Sequence, residues 1–173
     1  MSQIAKSRAR KRSVAEPPRG RLALTGALGF MRALWAVDHG LRSVSKQMQA
    51  EIGMTGPQRL VVRILGRVHQ IMPSELAELL HLDRGTVSGV LDRLAEQQLL
   101  IRKPHPEDGR SVLVELSARG RLLDRETEGT VEACVRRTLA ALPRSKVDAA
   151  IEVLEALARE LTREDGAVAG RNG

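Results

Sequence analysis

From residue 24 to residue 48 an apolar side chain returns every three or four positions: Leu24, Leu28, Met31, Leu34, Val37, Leu41, Val44 and Met48. That spacing lines one face of a 3.6-residue helix and predicts a long amphipathic helix over 22–51. "GMTGPQ" ends it, and Thr55 is placed to cap a second helix, 56–69, with Leu60, Val61, Ile64, Leu65 and Val68 as its apolar residues. Pro73 opens a third in "PSELAELLHL", where Leu76, Leu79 and Leu80 form one apolar edge. A fourth follows in "LDRGTVSGVLDRLAEQQLL", residues 82–100, with Asp83 as its cap. Then the period changes. "LLIRK" and "VLVEL" read as two short strands around "PHPEDGRS", a hairpin with a long tip. Ser117 caps one further helix through "SARGRLLDRETEGTVEACVRRTLAAL". Pro143 starts a last one, with Val147, Ile151, Leu154, Leu157 and Leu161 on one face, and "DGAVAGRNG" is expected to fray.

This order predicts a mostly α protein with a small β-hairpin wing: a winged helix-turn-helix joined to long dimerisation helices from both chain ends. The expected divisions are a basic disordered arm (1–21), an N-terminal dimerisation helix (22–54), a winged DNA-binding lobe (55–116), C-terminal dimerisation helices (117–164) and a flexible tail (165–173). The terminal helices carry more apolar surface than a monomer's exterior accommodates, which predicts a homodimer.

Charge refines the picture. The chain has a net charge of +7, and residues 1–21 hold Lys6, Arg8, Arg10, Lys11, Arg12, Arg19 and Arg21 against Glu16 alone. The basicity is thus mostly an arm, suited to nucleic acid or to a plain solvated tail. With one Trp, one Phe and no Tyr, the core must be aliphatic. A single Cys excludes an internal disulfide framework. No apolar run is long enough for a membrane span and no signal region follows the basic N-terminus, so a cytoplasmic location is expected.

The fourth helix poses a question. Gly85 and Gly89 lie inside it, and each costs a helix interior about 1 kcal/mol relative to Ala. Val87, Val90, Leu91 and Leu94 fall on the core side. Thr86, Gly89 and Arg93 line the opposite side, with Gly85, Ser88 and Asp92 beside them and Arg84 at the start. Short side chains let a helix seat in a major groove, where hydroxyls and guanidinium groups reach base edges or phosphates. Close packing on the preceding helix is the alternative reason for the glycines. At the hairpin, Lys103, His105 and Arg110 are candidate DNA contacts, and an Arg at a wing tip fits a narrow minor groove. A plain surface turn with an Asp–Arg pair is the alternative there.

The pattern "ELA", "TVS", "LDRL", "DGRS" and "LSARG" resembles the MarR family of bacterial transcriptional regulators over about residues 22–164. The resemblance implies a homodimer on a palindromic operator, with the fourth helix in the major groove and Arg110 in the minor groove. It further implies repression relieved by a small aromatic or anionic ligand, bound between the dimerisation helices and the DNA-binding lobe. Trp35, His39, Arg42, Arg63 and His69 are the candidate ligand contacts; core packing of Trp35 and plain surface arginines are the alternative. Two departures stand out: Gly89 replaces a frequent Arg, and the wing reads Asp-Gly-Arg in place of Asp-Arg-Arg.

Other chemistry is not expected. No nucleophile elbow, phosphate loop or acid pair points to an enzyme. His39, His69, His81 and His105 lack metal-ligand spacing, so no metal and no cofactor is expected. Cys134 is expected to be a buried structural thiol, since redox-sensing members of the family carry their Cys near the first helix. A winged module that binds RNA or a protein is the alternative function. RNA readers stack unpaired bases on aromatics, which this chain nearly lacks.

Overall fold

The computed structural model describes residues 24–169, with side chains described through 163. The arm at 1–21 lies outside the described residues. The elements are α1 (Gly26–Ile52), α2 (Gly56–Val68), β1 (Gln70–Ile71), α3 (Pro73–Leu80), α4 (Arg84–Glu96), β2 (Leu100–Pro104), β3 (Val112–Leu116), α5 (Ala118–Leu123), α6 (Val131–Ala140) and α7 (Arg144–Ala169). The chain divides into two units within α1, at Ala36 and Val37.

In the first unit, the start of α1 leaves Leu28, Phe30, Met31 and Trp35 exposed, Trp35 to 61%. The second unit holds an aliphatic core. It comprises Val61, Val62 and Leu65 of α2, Leu76 and Ala77 of α3, and Val87, Leu91 and Leu94 of α4, closed by Leu99, Leu100, Val114 and Leu116. The expected core face of α4 is therefore the buried one, with Val90 partly buried at its edge.

Local signals start these helices as the sequence predicts. Thr55 accepts the Gln58 amide and Gln58 returns to the Thr55 amide at 2.8 Å, a reciprocal cap. Asp83 caps α4 through the Thr86 amide at 2.8 Å, and Ser117 caps α5 through the Gly120 amide at 2.9 Å.

Three expectations are corrected. First, the hairpin is part of a three-stranded antiparallel sheet of order β1-β3-β2. Gln70 pairs with Glu115 and Ile71 with Val114, while Leu100 through Pro104 pair with Leu116 back to Val112. β1 is two residues long, so it has no alternation to read, and only the open edge of β3 makes it a strand. Second, the single helix expected from Ser117 is two, α5 and α6. α5 closes at Asp124, Gly129 takes a φ of +74°, and Thr130 caps α6. Third, α7 continues helically to Ala169, past the boundary expected at 164. A lone Gly166 weakens a helix without breaking its ladder.

The break between α5 and α6 is held by buried charge. Arg59 on α2 is 3% exposed. Its guanidinium donates to Glu132 at 2.6 and 3.1 Å, to the Leu123 carbonyl at 2.7 Å and to the Arg125 carbonyl. These carbonyls lie at and just past the end of α5, where the helix ladder no longer runs. One turn on, Arg63 pairs with Asp124 and lies 3.5 Å from Glu132. We predict that Arg59→Ala lowers stability by about 3 kcal/mol, the lower end for breaking a buried pair because Glu132 keeps partial access to water. Urea unfolding measures this; a loss below about 1 kcal/mol contradicts a buried clasp.

Candidate nucleic-acid interface

α4 presents one continuous polar face. Arg84, Gly85, Thr86, Ser88, Gly89, Asp92 and Arg93 are all exposed, while Val87, Leu91 and Leu94 hold the opposite side in the core. The two glycines have different causes. A Cβ on Gly85 would lie 3.1 Å from the capping Asp83 Oδ1, so the cap crowds that position. A Cβ on Gly89 would meet nothing within 4 Å. Packing on the preceding helix therefore does not explain Gly89.

The cap also orients Thr86. Its hydroxyl donates to Asp83 Oδ2 at 2.5 Å, which leaves the oxygen lone pairs and the methyl group for other contacts. The Thr86 hydroxyl, and then its amide, hold the Asp83 carboxyl below the ordinary 3.8.

The wing tip is built around Asp108. Its carboxylate accepts the Ser111 hydroxyl at 2.6 Å and the Arg110 amide at 3.0 Å, and the Ser111 hydroxyl bond is the main reason its pKa is lowered. The Asp–Arg pair considered from sequence is thus a bond to the Arg110 backbone, and the Arg110 side chain is exposed at the tip. His105 Nδ1 accepts the amides of Glu107 and Asp108, both at 3.2 Å, so this ring shapes the loop. Lys103 reaches the strand face, 2.8 Å from Glu115, where its ammonium lowers the Glu115 pKa together with Gln70.

One residue of the site escapes sequence reading. Arg102 on β2 donates to Asp92 on α4 at 2.6 Å. This pair ties the wing to the helix it flanks. No local pattern announces it, since only the fold brings residues 92 and 102 together.

The candidate ligand residues do not assemble as one group. Trp35 and His39 are exposed on α1, and Arg42 pairs with Asp38 at 2.9 Å. Trp35 is not packed in a core among the described residues. His69 closes α2 with φ +64°. Arg63, besides its pairing with Asp124, lines a cleft of about 310 Å³ with Ile64, Arg67, Val68 and Leu79. Cys134 is exposed, contrary to the buried thiol expected. α6 turns Ala133 into the core, and the next residue is rotated about 100° away. Cys134 lines an apolar groove of about 380 Å³ with Val37, Leu41, Val44, Val135 and Leu139, and Arg137 donates to its sulfur at 3.5 Å. Among the described residues no group of His, Cys, Asp or Glu is placed to hold a metal ion. No helix among them is long and apolar enough to cross a membrane.

A helix-turn-helix with an exposed polar second helix and a basic-tipped wing defines the class of winged-helix DNA-binding proteins. Comparison with known proteins gives the family. The MarR family model matches residues 54–112. An organic hydroperoxide resistance transcriptional regulator of Bacillus subtilis is 33% identical over 90 residues, 52% of this chain but only 61% of that regulator. The HTH-type transcriptional repressor Rv2887 of Mycobacterium tuberculosis is 30% identical over 121 residues, 70% of this chain and 86% of the repressor. A mutant MarR from E. coli complexed with operator DNA shares the fold, with a TM-score of 0.59 and 24% identity over 74% of this chain and 92% of that one. The chain belongs to the MarR family, and it spans about three fifths of the first of these relatives, which are themselves named as transcriptional regulators and repressors.

Two outcomes follow from the geometry of α4. Gly89→Ala should raise stability by roughly 0.5–1 kcal/mol while weakening binding to duplex DNA. Thermal unfolding and DNA titration of one preparation check both halves, and unaltered DNA binding would remove the reason offered for this glycine. The Asp83 cap should contribute above the ordinary carboxylate pKa and be lost as pH falls through the lowered folded value. The Thr86 amide shift, followed by NMR, should therefore titrate with a midpoint below 3.8.

Proposed function

We propose that the protein is a repressor that acts as a homodimer on an inverted repeat in double-stranded DNA and is released by a small organic anion. The observation that carries the DNA reading is the face of α4, where Arg84, Thr86, Ser88, Gly89 and Arg93 are exposed together and Gly89 opens on empty space. Lys103, His105 and Arg110 extend this interface onto the wing. Lys103 reaches phosphate by giving up Glu115, His105 holds the tip, and Arg110 enters the minor groove. The basic arm at 1–21 adds affinity without sequence choice, through counterion release.

The dimer reading rests on surface that one chain leaves uncovered. No described side chain of the 26-residue α7 is buried, and Ile151, Val153, Leu154 and Leu161 stand open to 47–57%. Val135 and Leu139 on α6 and Leu142 after it are exposed as well. A helix with an apolar stripe needs a partner to bury it. Residues 22–54 and 117–164 are the proposed dimerisation segments, and 55–116 the DNA-binding lobe.

For the effector, the cleft places the cation of Arg67 beside Ile64, Val68 and Leu79, with Arg63 reaching a ligand only by giving up Asp124, a surface suited to a small anion with an apolar body. Trp35, His39, Arg42 and His69 remain the other candidate contacts, and Trp35 serves as the reporter because it is the only Trp. Such a ligand releases DNA only by binding the non-binding conformation better.

Sedimentation at micromolar concentration should give a dimer, and anisotropy titration should favour duplex DNA over single-stranded RNA. A folded monomer, or equal affinity for the RNA, overturns the reading. On the preferred duplex, half-site centres should lie about 10 bp apart. Within that interface, Thr86→Ala should relax discrimination at one base position by on the order of 1–3 kcal/mol. Arg110→Ala should weaken binding mostly where the minor groove is narrow. Equal losses from Thr86→Ala on specific and random duplexes would make it a phosphate contact.

A further inference from the structure

The link between α5 and α6 is the only covalent path from the winged lobe to α6 and α7. It is fastened along α2 at successive turns. At the start of α2, a Cβ on Gly56 would lie in ordinary contact with Val131, 3.5 Å from its side chain. One turn later Arg59 clasps Glu132 and the carbonyls of Leu123 and Arg125. A further turn on, Arg63 holds Asp124. Last comes Gly66, where a Cβ would fall 1.7 Å from Asp124 Oδ2. Gly66 lies in the last turn of α2, and its absent side chain is the seat of that carboxylate.

The two ionic clasps differ in kind. Arg59 is buried and satisfies the end of α5. The Arg63 and Asp124 side chains retain 21% and 20% exposure, so their pairing contributes modestly to stability. Yet a helix glycine is given over to it, at about 1 kcal/mol against Ala. A single anchor at Arg59 leaves the link able to swivel, whereas a second one a turn away fixes its angle. Packed elements joined this way have discrete arrangements in preference to continuous ones.

We propose that Asp124, seated on Gly66 and held by Arg63, is a positioning residue that sets the angle between the winged lobe and the C-terminal helices, and so the half-site spacing the protein accepts. This rests on the homodimer and inverted-repeat reading above. In a two-fold dimer the distance between recognition helices is set by how each lobe is mounted on the shared helices. Asp124 touches no DNA in this scheme; it acts through the mounting.

The test uses full-length protein and duplexes it enriches from a randomised library. The enriched repeat is re-spaced by one and two base pairs in each direction, and one further duplex has a single half scrambled. Wild type should show a sharp optimum. Asp124→Asn, which removes the charge, and Gly66→Ala, which fills the seat and removes none, should each lose about tenfold at the optimum. Both should flatten the spacing profile, keep wild-type affinity for the half-scrambled duplex, and sediment as the wild type does. Retention of the wild-type profile by both variants overturns the proposal. So does a parallel loss on every duplex, which would mean damage to the lobe itself. If Asp124→Asn does not fold, Gly66→Ala decides alone. Enrichment that yields no two-fold repeat overturns the underlying reading instead, and is seen with wild type before any variant is made.

Discussion

The cation of Arg59 is taken almost wholly out of water, and that constraint organises the middle of the chain. A buried guanidinium must have its donors satisfied, or the desolvation penalty exceeds what packing returns. Glu132 supplies charge and the carbonyls of Leu123 and Arg125 supply the remaining acceptors. Those carbonyls lie at the break that follows α5, after which Thr130 caps the start of α6. One buried charge thus connects α2, the end of the winged lobe and the start of the helices that follow. Arg63, Asp124 and Gly66 extend the same fastening by a turn.

Stability is distributed unevenly around this point. The aliphatic core under α4 is formed with α2, α3 and the sheet, so α4 rests on a packed base. Its outward face, by contrast, contains only short or flexible groups and a glycine with no internal purpose. The wing is braced twice, by Arg102 on Asp92 and by the Asp108 turn that leaves the Arg110 side chain outward. Precision in the support and compliance at the surface are what a groove-reading helix requires. α7 has the opposite character, an amphipathic helix with no buried side chain among its described residues.

The helices were legible because their information is local. Periodicity placed α1 to α4 and α7, and Thr55, Asp83, Ser117 and Pro73 fixed starts that the structure keeps. The polar face of α4 followed from the same periodicity, because the residues that bury Val87, Leu91 and Leu94 necessarily expose Thr86, Ser88 and Gly89. The errors share a cause as well. β1 is too short to carry a pattern and is made by the edge of β3. The α5–α6 break falls in "DRETEG", whose composition tolerates a helix, and is enforced by arginines more than sixty positions earlier.

By itself, then, the sequence determined most of the helices, the hairpin, the core face of α4 and the candidate reading surface, because spacing and capping act within a few residues. Only the tertiary structure decided which charges are spent internally. Lys103, Arg63 and Arg42 are engaged by Glu115, Asp124 and Asp38, whereas the Arg110 side chain is left outward by an aspartate that takes its amide instead. It likewise decided that Gly66 is a seat for a carboxylate, that Gly89 faces open space and that Cys134 lies on a groove. Three glycine and cysteine positions of similar appearance in the chain acquire different roles because the atoms that approach them come from distant segments, and no local pattern encodes that approach.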